Sequence, residues 1–350
     1  MMPQTDLSPC TNAATTAPRP SMLLFHHVAK TGGSTVREWL LRNAGKHQNH
    51  LRVPKRLDGV LRYYEARCFF CMQFRDVLGS LQCSVKHLSE CRASVPRLYS
   101  FNSVQSDWRC ARLAVEFHGM SVSLLLEEVL PELPRLRREY QLRNGTITVL
   151  TLMRAPIAYL LSAYRMWPPQ HPTSDALAQD FPSWLRQASG LQAAQLAPRC
   201  FHAARDTGMR SRCPCSRSLR FARRTLDSFD IVGATCCLGD VLDEVERRMH
   251  FPPEGPLDRM RRRAHQGNVL AGPLYIRPRC MACGPRVVAA SRLWTWEALS
   301  SPVRRAAKAA AQCDMQLYRE VLTKARSEVG GNCSSAGLVG DRFCSATATI

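Results

Sequence analysis

The chain has 350 residues, 45% of them hydrophobic and 7% aromatic, which allows one large or two smaller globular cores and excludes a fibrous or wholly disordered protein. Its formal net charge of +20 comes almost entirely from arginine and is typical of surfaces that attract polyanions, such as nucleic acids, anionic membranes or acidic glycans. Planar guanidinium groups suit the paired hydrogen bonds that phosphate and sulfate accept.

Residues 1–20 are polar and rich in proline, threonine and alanine, so we predict a disordered tail. No signal peptide is visible in them, and no stretch of the chain is long and apolar enough to suggest a membrane anchor. In contrast, 16 cysteines favour an oxidising compartment, and Asn144 and Asn332 begin potential N-glycosylation sequons. Together these features favour the lumen of the secretory pathway.

An apolar run over residues 22–28 predicts a buried strand, and a glycine-containing turn follows it. Beyond the turn, Val36, Trp39 and Leu40 share one face of a predicted helix, which Gly45 ends. A loop that leads from a strand into a helix is a ready anion-binding site, because the helix N-terminus presents backbone N–H groups and the positive end of its dipole.

The loop residues themselves also favour an anion. Gly32 and Gly33 allow the backbone to approach a ligand closely, Lys30 supplies a positive charge, and Ser34 and Thr35 supply hydroxyl donors. A Walker A loop carries its lysine after the glycines, whereas Lys30 precedes them. This order disfavours ordinary nucleoside triphosphate binding.

Residues 51–112 mix polar, apolar and cysteine residues and predict only short helices and loops. Residues 113–117 predict a short strand that ends at His118, and Glu116 shares a strand face with that histidine. Two helices are predicted next, over residues 123–130 and 135–142.

Residues 146–153 form the clearest predicted strand, because they are β-branched and apolar throughout. Arg154 follows this strand, and Pro156 suits the first position of a helix that ends before Pro168. The remaining predicted elements are a strand over 229–234 and helices over 241–249 and 300–328. Strands that alternate with helices predict an α/β fold with a central parallel sheet.

Two segments, residues 199–224 and 252–285, are rich in arginine together with cysteine or with proline and glycine, and they are predicted to be long loops or insertions. The main domain is therefore placed over residues 21–328, and a flexible tail over residues 329–350. The pairs Cys68/Cys71 and Cys280/Cys283 have zinc-ligand spacing, but their separation is far from that of a compact ribbon. Disulfides are the favoured interpretation, and no metal is expected.

Residues 27–35, His-Val-Ala-Lys-Thr-Gly-Gly-Ser-Thr, resemble the H-x-P-K-T-G-G-[ST]-[ST] motif of Golgi carbohydrate sulfotransferases. In that family the loop binds the 5′-phosphosulfate end of PAPS (3′-phosphoadenosine-5′-phosphosulfate), whose product is PAP. The sequence departs from the motif at Ala29, where the family usually has proline. The resemblance implies that the cofactor-binding residues of the loop are Lys30, Thr31, Gly32, Gly33, Ser34 and Thr35.

A second signature of the family, a strand followed by R-x-P and a helix with S-x-Y, is similar to the stretch from Arg154 to Tyr164. The resemblance implies that Arg154 and Ser162 hold the 3′-phosphate of PAPS. An arginine at the carboxyl end of a parallel strand lies where α/β sheets bind ligands, and it can grip a phosphate through paired donors. Weaker similarities occur over residues 229–233 and 314–318, and either can also reflect core packing.

The resemblance implies a P-loop-like three-layer fold and sulfuryl transfer to a carbohydrate acceptor. An anionic glycan is the expected acceptor, because it would complement the basic surface. Lys30 is assigned to the negative charge that develops on the leaving PAP. The base that accepts the hydroxyl proton is predicted to be His118, with Glu116 as the alternative, while His27 is interpreted as structural.

Two other functions remain open. A P-loop kinase-like phosphotransferase is disfavoured by the lysine order and by the lack of a clear Walker B strand. A non-catalytic polyanion-binding protein on a sulfotransferase fold is allowed by Ala29 and by the long cysteine- and arginine-rich insertions. No nucleic-acid-binding module is recognised, so nucleic acid is not an expected partner.

Overall fold

The computed structural model describes residues 19–45, 51–52, 70–71, 74, 112–118, 121–166, 181–186, 188–204, 208–211, 213–251 and 299–329. The predicted loop over 252–285, most of both predicted tails and the sequon at Asn332 lie outside these residues. Within them, no helix is long and apolar enough to cross a bilayer.

The described chain is an α/β protein built on a parallel sheet, as predicted. The sheet has the strand order β2-β3-β1-β4-β7, and its four longer strands run parallel. The short β2 pairs with β3 in parallel, with Leu51 opposite Arg112. The strands of this sheet are β1 (Ser21–His27), β2 (Leu51–Arg52), β3 (Arg112–His118), β4 (Thr146–Met153) and β7 (Ile231–Ala234).

Helices between the strands provide the crossovers that parallel pairing requires, and further helices follow β7 in the chain. They are α1 (Gly33–Gly45), α2 (Leu133–Gln141), α3 (Pro156–Met166), α4 (Leu191–Gln195), α5 (Cys215–Leu226), α6 (Leu238–Arg248) and α7 (Ser301–Val329). All seven residues of β1 and seven of the eight in β4 are buried, which explains why both strands read as continuous apolar runs.

The chain divides into two compact units. The first contains the described residues among 1–26, 34–150 and 245–252. Its core includes a run of neighbouring rings, in which Phe70 lies 5.8 Å from both Phe74 and Phe117, and Phe74 lies 6.4 Å from Tyr140. On α1, the buried ring of Trp39 lies 6.0 Å from that of Phe251, which accounts for the apolar helix face seen in the sequence.

The second unit contains residues 27–33, 151–244 and the described part of 253–350. In it, α7 packs along β7 and α3, and the shared core includes Tyr159, Tyr164, Phe181 and Met315. Two disulfides brace this unit, Cys200–Cys213 and Cys215–Cys313. The second one closes a sequence separation of 98 residues and therefore restricts the unfolded chain strongly. The predicted use of cysteines in disulfides is thus confirmed for these four.

The prediction of a long loop over residues 199–224 was wrong. Phe201–Ala204 and Gly208–Ser211 form an antiparallel hairpin, strands β5 and β6, and α5 follows it. The helix buries Leu219, Ala222 and Leu226, whose spacing of three and four residues is the ordinary signature of an amphipathic helix. Dense arginine and cysteine content concealed this pattern.

Element boundaries differ from the predictions in smaller ways. The helix predicted over 123–130 is an irregular helical segment over 121–132 that includes a π-helical stretch at Leu124–Val129 and a 3₁₀ turn at Leu130–Glu132. The helix expected from residue 135 begins at Leu133, because Pro134 is tolerated in the first turn, where backbone N–H groups have no helical partner. Strand β7 begins at Ile231, two residues later than predicted.

Candidate anion-binding site

The loop between β1 and α1 has an unusual backbone. Lys30 has a φ of 67° and Gly32 a φ of 86°, so two of three consecutive residues lie in the left-handed region. Thr31 holds the turn, because its backbone N–H and its hydroxyl both donate to the Val28 carbonyl oxygen, at 3.3 and 2.7 Å. A lysine in this conformation costs about 1–2 kcal/mol relative to glycine, and strain of this kind concentrates at functional sites.

We expect Lys30→Gly to raise the free energy of unfolding by about 1 kcal/mol, because glycine adopts a positive φ without strain. Lys30→Ala is the matched control, since it removes the same ammonium group but keeps a Cβ in the left-handed region. Chemical denaturation should give the glycine variant a free energy of unfolding about 1 kcal/mol higher than that of the alanine variant. Equal stability of the two variants would show that the loop carries no backbone strain.

Gly33 is required by the close approach of a side chain. A Cβ at this position would overlap the imidazole of His27, which is 5% exposed. The His27 ring therefore occupies the space beside the glycine, and this contact fits the interpretation of His27 as a residue that shapes the loop. Ser34 and Thr35 follow in the first turn of α1, where Ser34 is exposed and Thr35 is buried.

Two cations lie together at this loop. The Arg154 guanidinium donates a hydrogen bond to the Lys30 carbonyl oxygen at 3.3 Å. Burial, followed by the positive charge of Arg154, lowers the pKa of Lys30 below its ordinary value. Both effects disfavour the charged ammonium group, and a bound anion would reverse the second of them. Two neighbouring cations of this kind favour a negatively charged ligand, and the assignment of the loop to such a ligand stays a prediction.

Thr235 joins the two cationic segments. Its hydroxyl lies 3.1 Å from each of two carbonyl oxygens, those of Thr31 in the loop and Met153 at the end of β4. Thr235 directly follows β7, so it comes from the carboxyl end of a parallel strand, where α/β sheets place their ligand-binding residues. It was not predicted from the sequence, although its position after a strand was a usable signal.

The side chain of Gln192, on helix α4, makes two hydrogen bonds to the backbone of Arg154. The Arg154 N–H donates to Gln192 Oε1 at 2.9 Å, and Gln192 Nε2 donates to the Arg154 carbonyl oxygen at 2.9 Å. Gln192 is fully buried, so these two bonds satisfy groups that have no access to water. These two hydrogen bonds fix the backbone position from which the Arg154 side chain extends at the end of β4.

The same helix also holds the lysine loop. The Ala29 N–H donates to Gln195 Oε1 at 2.8 Å, and Gln195 Nε2 donates to the Tyr159 hydroxyl at 2.8 Å. Proline has no N–H, so the alanine that departs from the family motif is the residue that makes this bond possible. One short helix therefore contacts the backbone beside both Lys30 and Arg154.

Because of this bond, the substitution toward the family motif, Ala29→Pro, should destabilise the protein by about 1–3 kcal/mol, as it leaves the buried Gln195 oxygen without its donor. Urea denaturation measures the loss, and Ala29→Ser, which keeps the N–H, should stay close to the wild type. In a Gln195→Ala background the proline should cost less, because the partner is already gone. A proline variant as stable as the wild type would refute this account of Ala29.

Asp314 of α7 anchors the start of α4. Its carboxylate accepts hydrogen bonds from the backbone N–H groups of Gln192 at 3.2 Å and Ala193 at 2.9 Å. Burial raises the pKa of Asp314 to about 6, although the backbone donors oppose the shift. Burial, with the charge of Asp314, also raises the pKa of Tyr159 above its ordinary range. Asp314 therefore holds the first residues of the helix whose glutamines bind the backbone of Ala29 and Arg154.

Ser162 lies on α3, eight residues after Arg154, and is 4% exposed. The role of Ser162 as a ligand of the 3′-phosphate stays a prediction.

The candidate bases belong to the first unit. Strand β3 extends to His118, and Glu116 and His118 are both half-buried on one face while Val115 and Phe117 are buried on the other. Glu116 receives two hydrogen bonds from Arg37, from Nε at 2.6 Å and from a terminal nitrogen at 2.7 Å. This pair was not predicted from the sequence, because 79 residues separate its members. It engages both carboxylate oxygens, and the roles of His118 and Glu116 as the base stay predictions.

Among the described residues, no group of three or more histidine, cysteine or acidic side chains is arranged to hold a metal ion. Cys71 is part of a disulfide, as is Cys237, so Cys71 is not a thiolate ligand. The other members of the two Cys-x-x-Cys pairs lie outside the described residues.

No protein-family model matches the chain, and comparisons with curated proteins and with solved structures found no significant match.

Proposed function

We propose that this protein is a PAPS-dependent sulfotransferase with a P-loop-like fold, which transfers a sulfuryl group to a hydroxyl of a carbohydrate acceptor. The observation that carries the proposal is the pair of cations at the carboxyl ends of β1 and β4. Lys30 is desolvated and lies in the field of Arg154, and both of these influences make the lysine charge unfavourable until an anion is bound.

The residues of the site fit PAPS. Gly32 has a left-handed backbone that suits a tight anion-binding turn, Gly33 leaves room for the His27 ring that packs against the loop, and α1 begins at Gly33. The 5′-phosphosulfate is assigned to Lys30, Thr31, Gly32, Gly33, Ser34 and Thr35. The 3′-phosphate is assigned to Arg154 and Ser162. When bound, PAPS supplies the activated sulfuryl group, and PAP is the product that leaves.

Two side chains have proposed chemical roles. The Lys30 ammonium group stabilises the negative charge that grows on the oxygen of the leaving group. His118 accepts the proton of the acceptor hydroxyl. Glu116 is the weaker candidate for this proton, because both of its oxygens already accept hydrogen bonds from Arg37.

The compartment proposed for this activity is the Golgi lumen or another part of the secretory pathway. Disulfides between Cys200 and Cys213 and between Cys215 and Cys313 persist in oxidising compartments. Asn144 of the first sequon is exposed in the turn before β4, where a glycan would not disturb the core.

The Arg37–Glu116 pair favours a second candidate, a non-catalytic anion-binding protein. Because this bidentate pair satisfies the carboxylate, catalysis depends on His118 as the base. A protein that binds PAP but shows no transfer would fit this second candidate.

The experiment is transfer of ³⁵S from labelled PAPS to a panel of glycosaminoglycan and neutral glycan acceptors by the disulfide-intact protein. The proposal predicts transfer by the wild type, a loss of about 100-fold or more in kcat for His118→Ala, and a smaller loss for Glu116→Gln. Transfer at the wild-type rate by the histidine variant would exclude His118 as the base. Absence of transfer to every acceptor, with PAP binding retained, would favour the non-catalytic candidate.

A further inference from the structure

The most concentrated charge in the sequence lies between Arg199 and Arg224, where eight arginines accompany a single acidic residue, Asp206. Helix α5 forms the last part of this segment, and none of its own residues is acidic. Two disulfides, Cys200–Cys213 and Cys215–Cys313, fix the chain just before the helix and at its first residue. The part of this charge that lies on α5 is therefore carried by a helix held by disulfides.

Three of the arginines form one stripe. Arg217, Arg220 and Arg224 are all exposed, and at about 100° per residue their directions fall within about 60° of one another around the helix axis. The buried residues Leu219, Ala222 and Leu226 lie on the opposite side of the helix. We refer to Arg217, Arg220 and Arg224 as the α5 arginine face.

Two members of the α5 arginine face are oriented by an aromatic ring. The guanidinium carbons of Arg217 and Arg220 each lie 5.7 Å from the centre of the Phe221 ring. Phe221 in turn packs on a small buried cluster that contains Ala194 and Ala197, next to the helix that clasps Arg154. Stacking on a ring reduces the rotamer entropy that a ligand would otherwise have to overcome.

The fourth arginine on the helix is already neutralised. Arg223 makes hydrogen bonds to both oxygens of Glu320, the shortest at 2.6 Å, and its pKa is raised by this pairing. The charge of Arg223 is thus compensated by Glu320, whereas α5 itself supplies no acidic partner to the α5 arginine face. This difference provides a control within the same helix.

We propose that the α5 arginine face binds the chain of an anionic, sulfated or carboxylated glycan and so holds an extended acceptor on the protein. Planar guanidinium groups match the geometry of sulfate and carboxylate, and the disulfides favour a lumenal compartment in which such glycans rather than nucleic acids are the available polyanions. The assignment of this glycan as the acceptor rests on the proposed function, whereas its binding does not.

The test is a titration of the full chain with a fluorescent heparin oligosaccharide at several salt concentrations. The triple variant Arg217→Gln, Arg220→Gln, Arg224→Gln should bind about tenfold more weakly near 0.15 M salt, and its slope of log K against log salt should fall by about 2 by the counterion-release argument. Arg223→Gln should change little. A second triple variant on α7, at Arg305, Lys308 and Arg319, removes the same number of exposed cations elsewhere and should also change little.

Wild-type affinity in the α5 triple variant, or an equal loss in the α7 control, would overturn the proposal. A DNA duplex of matched charge that binds as tightly as the oligosaccharide would overturn the glycan assignment, and so would stronger binding to phosphatidylserine vesicles. The α5 triple variant should keep its affinity for PAP, because its residues are not assigned to the PAPS site. If the wild type binds heparin through this face but binds no PAP, the sulfotransferase function is refuted, whereas the glycan-binding role of the α5 arginine face is retained.

Discussion

Replacing Arg154 with alanine should weaken PAP binding by about 100-fold, because charge-assisted hydrogen bonds to phosphate contribute about 1.5–3 kcal/mol each and this guanidinium can supply two. The backbone of Arg154 stays anchored through Gln192 after the change, so the effect should be confined to the side chain. Calorimetric titration measures the loss.

Two comparisons sharpen this expectation. Arg154→Lys keeps the charge but not the paired donors, so it should recover only part of the affinity. Arg186→Ala removes an exposed arginine of the same unit and should leave PAP binding unchanged. Undiminished PAP binding in Arg154→Ala would remove the arginine from the site and with it the assignment of the 3′-phosphate.

Asp314 should make the stability of the protein fall as the pH rises from about 4 to about 7. Its pKa is raised from 3.8 in the unfolded chain to about 6 in the folded one, so the folded state binds the proton more tightly. The stabilisation is therefore fully present below pH 3.8 and is lost as the pH passes through about 6. A shift of this size corresponds to about 3 kcal/mol.

Asp314→Asn is the matched variant, because it keeps the size of the side chain and cannot ionise. The difference in unfolding free energy between the wild type and this variant should fall by about 2 kcal/mol between pH 4 and pH 7, most of the full effect. Denaturant titrations at several pH values in the presence of intact disulfides provide the measurement. A difference that stays constant over this range would mean that Asp314 titrates at its ordinary pKa, and its anchoring of α4 would need another explanation.

The elements that were predicted well are those whose signal is local. Strands β1 and β4 are buried almost throughout, so an uninterrupted apolar run was sufficient to identify them. The glycine loop between β1 and α1 was identified for a similar reason, because Gly32 and Gly33 are conspicuous in the sequence. The left-handed backbone of Lys30 had no such signal, since lysine rarely adopts it.

What was missed depends on contacts between distant residues. Gln192 and Gln195 are ordinary polar residues, and their importance comes from their burial against the backbone of Arg154 and Ala29, 38 and 166 residues away. The Arg37–Glu116 pair was missed for the same reason, because its two residues lie 79 positions apart in the sequence. Helix α5 was missed for the opposite reason, because its arginines outnumber the apolar residues that define its buried face.

Calorimetric titration of the disulfide-intact protein with PAP, and separately with ADP, which lacks the 3′-phosphate, tests the central claim most directly. We expect PAP to bind at least about tenfold more tightly than ADP, because only PAP offers a 3′-phosphate to Arg154 and Ser162. Lys30→Ala should weaken both ligands, since the loop is assigned to 5′-phosphate groups, of which PAP has one and ADP has two. Folded protein that gives no heat with PAP, or that prefers ADP, would contradict the assignment of this site to PAPS.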